Sequence, residues 1–327
     1  MQSAKLNLIV PKRNVQKVLT LIFDLLRNPC FDEESLNLRK ERTLQDWKYN
    51  QLKSDARVTE LVFHHYFAEN SPMSTPLNEE IIRKVTLQDI QEYYSKSFCA
   101  ENIAFYASGA LEEKDVCFII KELSALSKGG RLPQVSFLNP DAAPTLVFEK
   151  KENCCQSSVA LCRPFFTLPS GLLRRFSVVN TILGGYFGSR LMTNLRETNG
   201  FTYNAGSDLL RLPDAGILML TTDVGTQYTR QAVSECRSEL QKLCETLVDD
   251  DEMELVRNYL IGKELRAIDG SVAYMKQYIN WHLADSDETE FYKDLETIEE
   301  ISVEEIRQMA QQYLTPESFA TFVVGEM

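Results

Sequence analysis

The sequence predicts an α+β fold of two related domains, each an antiparallel sheet covered by helices, with the first domain incomplete. Three observations carry this. Segments with the two-residue period of strands alternate with segments of helical period. A breaker-rich stretch, Lys128-Gly129-Gly130-Arg131-Leu132-Pro133 and Asn139-Pro140-Asp141-Ala142-Ala143-Pro144, divides the chain. And the chain repeats itself over a period far too long for a solenoid.

In chain order, Lys5 to Val10 alternates as a strand does, and Asn14 to Arg27 reads as a helix with Val18, Leu19, Ile22, Phe23 and Leu26 inward. Phe31-Asp32-Glu33-Glu34 opens a helical region reaching about Phe67, its acidic start suited to the helix dipole. Thr86 caps a helix over Leu87 to Phe98; Asn102 to Ser108 reads as a strand and Lys114 to Leu126 as a helix. Beyond the linker, strands are expected at Thr145 to Lys150, Ser157 to Arg163, Ser207 to Arg211, Ile217 to Thr222 and Phe319 to Val324. Helices are expected at Leu172 to Leu183 with Ser170 as cap, at Arg230 to Leu247, from the acidic run Asp249-Asp250-Asp251-Glu252, and at Val303 to Tyr313. That acidic run reads as a solvated helix start.

The repeat is visible without gaps. VTLQDIQEYYSKSFCAENIAFYASGAL, from Val85, matches ISVEEIRQMAQQYLTPESFATFVVGEM, from Ile301, in the placing of helix, cap and strand. Upstream, FDEESLNL at Phe31 pairs with VDDDEMEL at Val248, at an offset longer by a single position. One full repeat ends at Met327. The other ends near Leu111, so its first half has no counterpart in this sequence. Residues 1–127 are therefore read as the C-terminal half of a first repeat, 128–144 as linker and 145–327 as the second domain. A half-domain exposes a sheet edge and a core face. The expectation is that a partner chain, or a second copy of this one, covers them.

Net charge is −12, from 35 basic and 47 acidic residues, which argues against nucleic acid or an anionic membrane as partner. No apolar run reaches membrane-spanning length, and MQSAKLNLIVPKRN lacks the long apolar region of a signal peptide. The eight cysteines show no metal-type spacing and read as reduced packing residues of a cytoplasmic protein, with Cys154 and Cys155 on opposite faces of a strand.

The most informative stretch is Leu183 to Gly206, LGGYFGSRLMTNLRETNGFTYNAG. Gly184, Gly185 and Gly188 allow positive φ and close backbone approach. Ser189 suits the N-cap of a short helix that buries Leu191, Met192 and Leu195, and Gly200 ends it in the left-handed C′ position. The following strand puts Phe201 and Tyr203 on one face, and the reversal at Gly200 returns Arg196 to the side of Tyr203. Two readings of the pair stay open on chemistry alone. An arginine and a tyrosine suit a peptide carbonyl or a developing oxyanion; equally, the arginine complements the helix end and the tyrosine packs in a core.

The pattern from Leu183 through Ser189-Arg190-Leu191 and Leu195-Arg196-Glu197 to Gly200 and Tyr203 resembles the second-half signature of the pitrilysin/insulinase family of zinc metallopeptidases, which includes the mitochondrial processing peptidase. The resemblance implies a metallopeptidase-like duplicated fold and a clam-like chamber enclosing peptides. In it Arg196 and Tyr203 bind substrate and help polarise the scissile carbonyl, and the Gly184-Gly185 turn lets the substrate backbone approach. It also implies zinc on an H-x-x-E-H helix, which this sequence lacks. Of its three histidines, His64 and His65 are consecutive, about 100° apart on a helix, and cannot share one ion from it. His65 with Glu69, one turn on, is a weak metal pattern, and His282 beside Trp281 reads as structural. Glu41-Arg42 resembles the family's Glu-Arg near its third ligand, but Lys48 stands where the ligand glutamate belongs, with Gln45 and Asp46 nearby. The expectation is a non-catalytic half with no catalytic or metal-ligating residue of its own, zinc being held by a missing segment or by a partner subunit, and peptides as substrates. The rivals are an authentic zinc peptidase whose motif lies upstream, and a scaffold protein with no peptidase role. A cysteine hydrolase finds no support, since no cysteine sits in a glycine elbow or at a capped helix start near a histidine.

Overall fold

The computed structural model describes residues 4–67, 71, 73–130, 145–166, 168–211 and 215–327. Six helices precede the breaker stretch: α1 (Val15–Arg27), α2 (Glu33–Gln51), α3 (Ser54–Tyr66), α4 (Glu79–Lys84), α5 (Leu87–Ser97) and α6 (Glu113–Ser124). Then follow β1 (Leu146–Lys150), β2 (Gln156–Phe166), α7 (Ser170–Asn180), α8 (Arg190–Met192), β3 (Thr202–Arg211) and β4 (Ala215–Gly225). The chain closes with α9 (Thr229–Glu245), α10 (Asp250–Ala267), α11 (Ser271–Leu283), α12 (Thr289–Glu300), α13 (Val303–Tyr313) and β5 (Ala320–Gly325). The α+β class and most boundaries match the sequence reading. The long helical region after Phe31 breaks at Leu52 and Lys53 into α2 and α3. Ser170 is the first residue of α7, and Pro169 holds the cap position.

The residues fall into two compact units. The larger, drawn from 46–77, 135–267 and 284–327, holds a five-stranded sheet in the order β1-β5-β2-β4-β3. The sheet is mixed where an antiparallel one was expected: β1 runs parallel to β5, the other pairs antiparallel. Central strand β2 is buried on both faces, which explains its continuous apolar run. Val159 and Leu161 enter a large core beneath α7, α9, α10 and α13, while Ala160 and Cys162 face α3. Helix α3 is fixed there by Val58, Val62 and Tyr66, by the Tyr66 hydroxyl donating to the Cys162 carbonyl (2.8 Å), and by a two-pronged contact of Arg57 with Glu149 of β1.

The smaller unit, from 1–45, 78–134 and 268–283, contains helices but no strand among its described residues. Lys5 to Val10 and Asn102 to Ser108, both expected as strands, form no ladder there. Its core is Leu19, Phe23 and Ile119, with Phe105 and Phe118 against the Phe23 ring. Val18, Ile22 and Leu26 of α1 are half-buried on the inward face the sequence predicts.

The internal repeat survives in detail. Thr86 with Asp89 and Ser302 with Glu305 are both reciprocal capping boxes, set apart by the interval that separates Val85 from Ile301. The same interval separates the 3₁₀ turns Ala100–Asn102 and Pro316–Ser318, and Gly109 (φ 129°) from Gly325 (φ 144°). Helices α3 and α11 correspond at the interval that separates Phe31 from Val248, yet α3 belongs to the unit of the second repeat and α11 to that of the first. Their surroundings match: His65 meets Phe322 edge-on at 5.4 Å, and His282 meets Tyr106 edge-on at 5.7 Å. The two repeats have exchanged this helix. Residues 46–77 and 268–283 thus join units other than those a single cut at 128–144 defines, and residues 131–144 of that linker lie outside the described residues.

Candidate functional site

The stretch from Leu183 to Gly206 is held by its neighbours on every side. Helix α7 widens into a π-helical turn, Thr181–Gly185, whose end is stitched to β3: the Asn180 amide donates to the Ser207 carbonyl (3.1 Å) and the Ser207 hydroxyl to the Asn180 carbonyl (3.2 Å). A Cβ at Gly184 would strike the Ser207 backbone, and one at Gly188 would come within 2.8 Å of the Tyr186 ring. The sequence reading allows Gly184, Gly185 and Gly188 two uses; none is at positive φ, and they serve close packing.

Leu191, Met192 and Leu195 are buried as predicted, but the short helix is α8 followed by a second π-helical turn, Thr193–Thr198. Ser189 holds the N-cap position without capping, its hydroxyl buried and unpartnered. Arg190 grips Glu252 in the first turn of α10 through two bonds of 2.9 and 2.7 Å, and Asn194 donates to Glu235 and Glu239 of α9. The acidic run at 249–252 is therefore not only a solvated helix start. Gly200 takes φ 65° as predicted, and the Phe201 amide returns to the Leu195 carbonyl (2.9 Å), closing the turn.

The strand that follows begins with a bulge. Pairing of β3 with β4 shifts between Thr202 and Ala205, and the Thr202 hydroxyl donates to the Asp223 carbonyl (2.6 Å). The side chain between them, Tyr203, is thrown outward and is 86% exposed, with no hydrogen bond among the described residues. Arg196 lies with its guanidinium 4.5 Å from the centroid of the Phe187 ring, its ion-pair partner being the neighbouring Glu197. Arg196, Tyr203 and Phe201 line one open hollow of about 490 Å³, together with Tyr228, Gln156 and Cys155. Phe201 stacks on Tyr228 at 4.7 Å. Arg196 and Tyr203 are thus brought together as the sequence predicts, whereas Gly184, Gly185 and Gly188 do not line the hollow.

Phe187 and Tyr228 were not singled out from sequence; Phe187 sits inside the motif, between Gly185 and Gly188, and Tyr228 carries no motif signal at all. Asp223 was also missed. Burial pushes its carboxyl up, against the Ser158 hydroxyl that donates to it.

Among the described residues no group of histidine, cysteine or carboxylate side chains could hold a metal ion. The His65 and His282 rings are engaged on aromatic neighbours in different units, and Glu69 lies outside the described residues. All eight cysteines are unpaired; Cys99, Cys162, Cys236 and Cys244 are buried packing residues, but Cys30, Cys117 and Cys155 are exposed. Cys154 and Cys155 precede β2 and do not lie on it. No helix among the described residues is long and apolar enough to cross a membrane.

Similarity to known proteins places this geometry. An uncharacterized zinc protease of Streptomyces coelicolor is 22% identical over 309 residues, which cover 90% of this chain and 66% of the relative. A Helicobacter pylori protein described as a non-peptidase homolog is 23% identical over 77% of this chain and 59% of its own length. The chain thus spans about two thirds or less of these curated relatives. The crystal structure of a peptidase M16 inactive domain from Pseudomonas fluorescens superposes with a TM-score of 0.84 at 18% identity, covering 95% of this chain and 75% of that one, which establishes a shared fold. The family profile of the peptidase M16 inactive domain matches residues 84–260, more than half of the sequence. The chain belongs to the peptidase M16 family, as a member carrying its inactive domain.

Proposed function

We propose that this chain is the non-catalytic half of an M16 metallopeptidase and lends Arg196 and Tyr203 to a peptide cleaved at zinc held by another segment or chain. The observation that carries the reading is the bulge at Thr202: it exposes Tyr203 beside Arg196, over a hollow floored by Phe201 and Tyr228. A phenol and a guanidinium are both hydrogen-bond donors, so the pair suits a backbone carbonyl in any sequence context. It strengthens its hold as that oxygen gains charge. The restraints on Arg190, Asn194 and Gly200 support a preformed site. The net charge of −12 favours basic peptides, and the unpaired cysteines fit a cytoplasmic setting.

The test is binding of a fluorescent, extended basic peptide, read by anisotropy. Arg196→Ala is expected to weaken it about ten-fold, as for the loss of a charged hydrogen bond, and Tyr203→Phe by less. The purified chain alone should bind no stoichiometric zinc by elemental analysis and should cleave nothing. Zinc-dependent cleavage by the pure chain would sink the reading. The name of the H. pylori relative favours a second reading, a scaffold without peptidase role. Unchanged peptide binding in the double variant Arg196→Ala/Tyr203→Phe would select it.

A further inference from the structure

Arg196 is held in a way that Arg57, Arg163, Arg190 and Arg237 are not. Each of those directs N–H donors at an acceptor of the protein. Arg57 forks onto Glu149 and Arg190 onto Glu252, while Arg163 and Arg237 reach the Tyr313 and Pro316 carbonyls. The Arg196 guanidinium makes no hydrogen bond among the described residues. Its contacts are the Phe187 ring, 4.5 Å away at the centroid, and the exposed Glu197, 3.4 Å from Nε.

Phe187 is 67% exposed, which by itself signals nothing. The backbone beneath it is what gives this ring a use. The Ser189 amide donates to the Tyr186 carbonyl (3.1 Å), so residues 186–189 form a tight turn with Phe187 on its outside. The Tyr186 ring anchors that turn against Tyr259 of α10, with centroids 4.9 Å apart. On the other side of α8, the Gly200 amide donates to the Arg196 carbonyl (3.1 Å). Both backbones are thus fixed where the two side chains meet. Phe187 is not among the residues that line the hollow, so its influence on an occupant passes through Arg196.

A ring face attracts a cation through its negative quadrupole and leaves in-plane N–H groups alone. A carboxylate in the same place would engage two of the five guanidinium donors. The ring therefore restrains a long, flexible side chain without using up what it offers to an outside acceptor. We propose that Phe187 is the positioning residue of the Arg/Tyr pair, its ring face holding the Arg196 guanidinium at the hollow with donors free for a carbonyl oxygen of bound peptide. This rests on the reading of Arg196 as a peptide donor, and adds a dependence on the electrons of the ring that a steric role lacks.

The test is a series at position 187 in the intact chain: Phe187→Tyr, Phe187→Leu and Phe187→pentafluorophenylalanine, the last keeping the outline of the ring while reversing its quadrupole. One readout is the rate at which phenylglyoxal modifies Arg196, followed by mass spectrometry with Arg190 as internal reference. The other is anisotropy of the fluorescent basic peptide. Phe187→Tyr should match the parent in both. Phe187→Leu and the pentafluorinated variant should each speed modification of Arg196 and weaken peptide binding about two- to five-fold, as for loss of an exposed cation–π contact. Phe187→Leu added to Arg196→Ala should weaken binding no further. Parental behaviour of the pentafluorinated variant would make the ring a mere spacer and overturn the proposal, as would an additive loss in the double variant. If Arg196→Ala weakens binding but the series moves neither readout, the positioning role fails and the peptide reading stands. If the series shifts Arg196 reactivity but Arg196→Ala leaves binding unchanged, the peptide reading fails and takes the positioning role with it.

Discussion

The two units are built from equivalent helices and differ in what those helices cover. In the larger unit they close over a sheet, and a single buried cluster runs through Leu161, Phe176, Leu195, Leu220, Leu240 and Val256. In the smaller unit the buried cluster is Leu19, Phe23 and Ile119. Local helix signals are as good in one as in the other: both α5 and α13 carry full capping boxes. The difference shows that helix formation here is local, whereas burial depends on the sheet. A helix face without a floor keeps its shape and leaves its apolar residues in water.

Tryptophan makes this comparison measurable, since the chain has only Trp47, in the larger unit, and Trp281, in the smaller. Single-tryptophan variants therefore report each unit during urea unfolding. Phe322→Ala removes a fully buried ring between the sheet and α3, and should cost about 3–5 kcal/mol on the Trp47 signal. Phe23→Ala, in the small core, should cost about 2 kcal/mol, seen by Trp281. Equal costs would break the comparison.

The next effect depends on pH. Burial, with the like charge of Glu264, pushes Asp294 up to about 6, against the opposing charge of Arg174. Its folded carboxyl thus keeps a proton that the unfolded chain releases near pH 4. Folding takes up a proton in that window, so this group lowers stability as pH rises from about 4 to 6. Asp294→Asn should raise stability at pH 7 by about 1–3 kcal/mol on the Trp47 signal, and change little below pH 4. A gain that persists at pH 4 would assign the effect to something other than the charge.

Smaller effects sharpen the pairing of the repeats. Thr86→Ala and Ser302→Ala should each cost about 1 kcal/mol, the first read by Trp281 and the second by Trp47. Smallest of all, Tyr203→Phe should leave urea midpoints within about 0.5 kcal/mol of the parent, because its ring is exposed and its hydroxyl unbonded. A large loss there would make Tyr203 a structural residue.

Much of this was legible in sequence wherever the cause is local. The Thr86 cap, the α13 span and the left-handed Gly200 depend on a few neighbours in the chain. The convergence of Arg196 and Tyr203 was legible because a single turn links them. Lys5 to Val10 and Asn102 to Ser108 read as strands in the sequence, yet a strand exists only with a partner ladder, and the sequence pattern says nothing of whether the partner is present. The parallel pairing of β1 and the exchange of α3 with α11 depend on contacts between positions far apart in the chain, such as Arg57 with Glu149. Periodicity cannot carry such information. Phe187 and Tyr228 were overlooked because aromatic residues are read as core until a neighbouring charge gives them another use.

The helix exchange has a consequence for synthesis. A ribosome releases the chain from the N-terminus, and the smaller unit is nearly all made by residue 130. Its remaining helix, α11, is not made until residue 283, when the greater part of the chain has already emerged. Meanwhile α3, made early, must wait for β2 and β5 before its buried face is covered. The smaller unit cannot finish folding until most of the larger one has been translated. The nascent protein carries the uncovered face of α3 for most of its synthesis, and the last strand to emerge, β5, closes the larger unit.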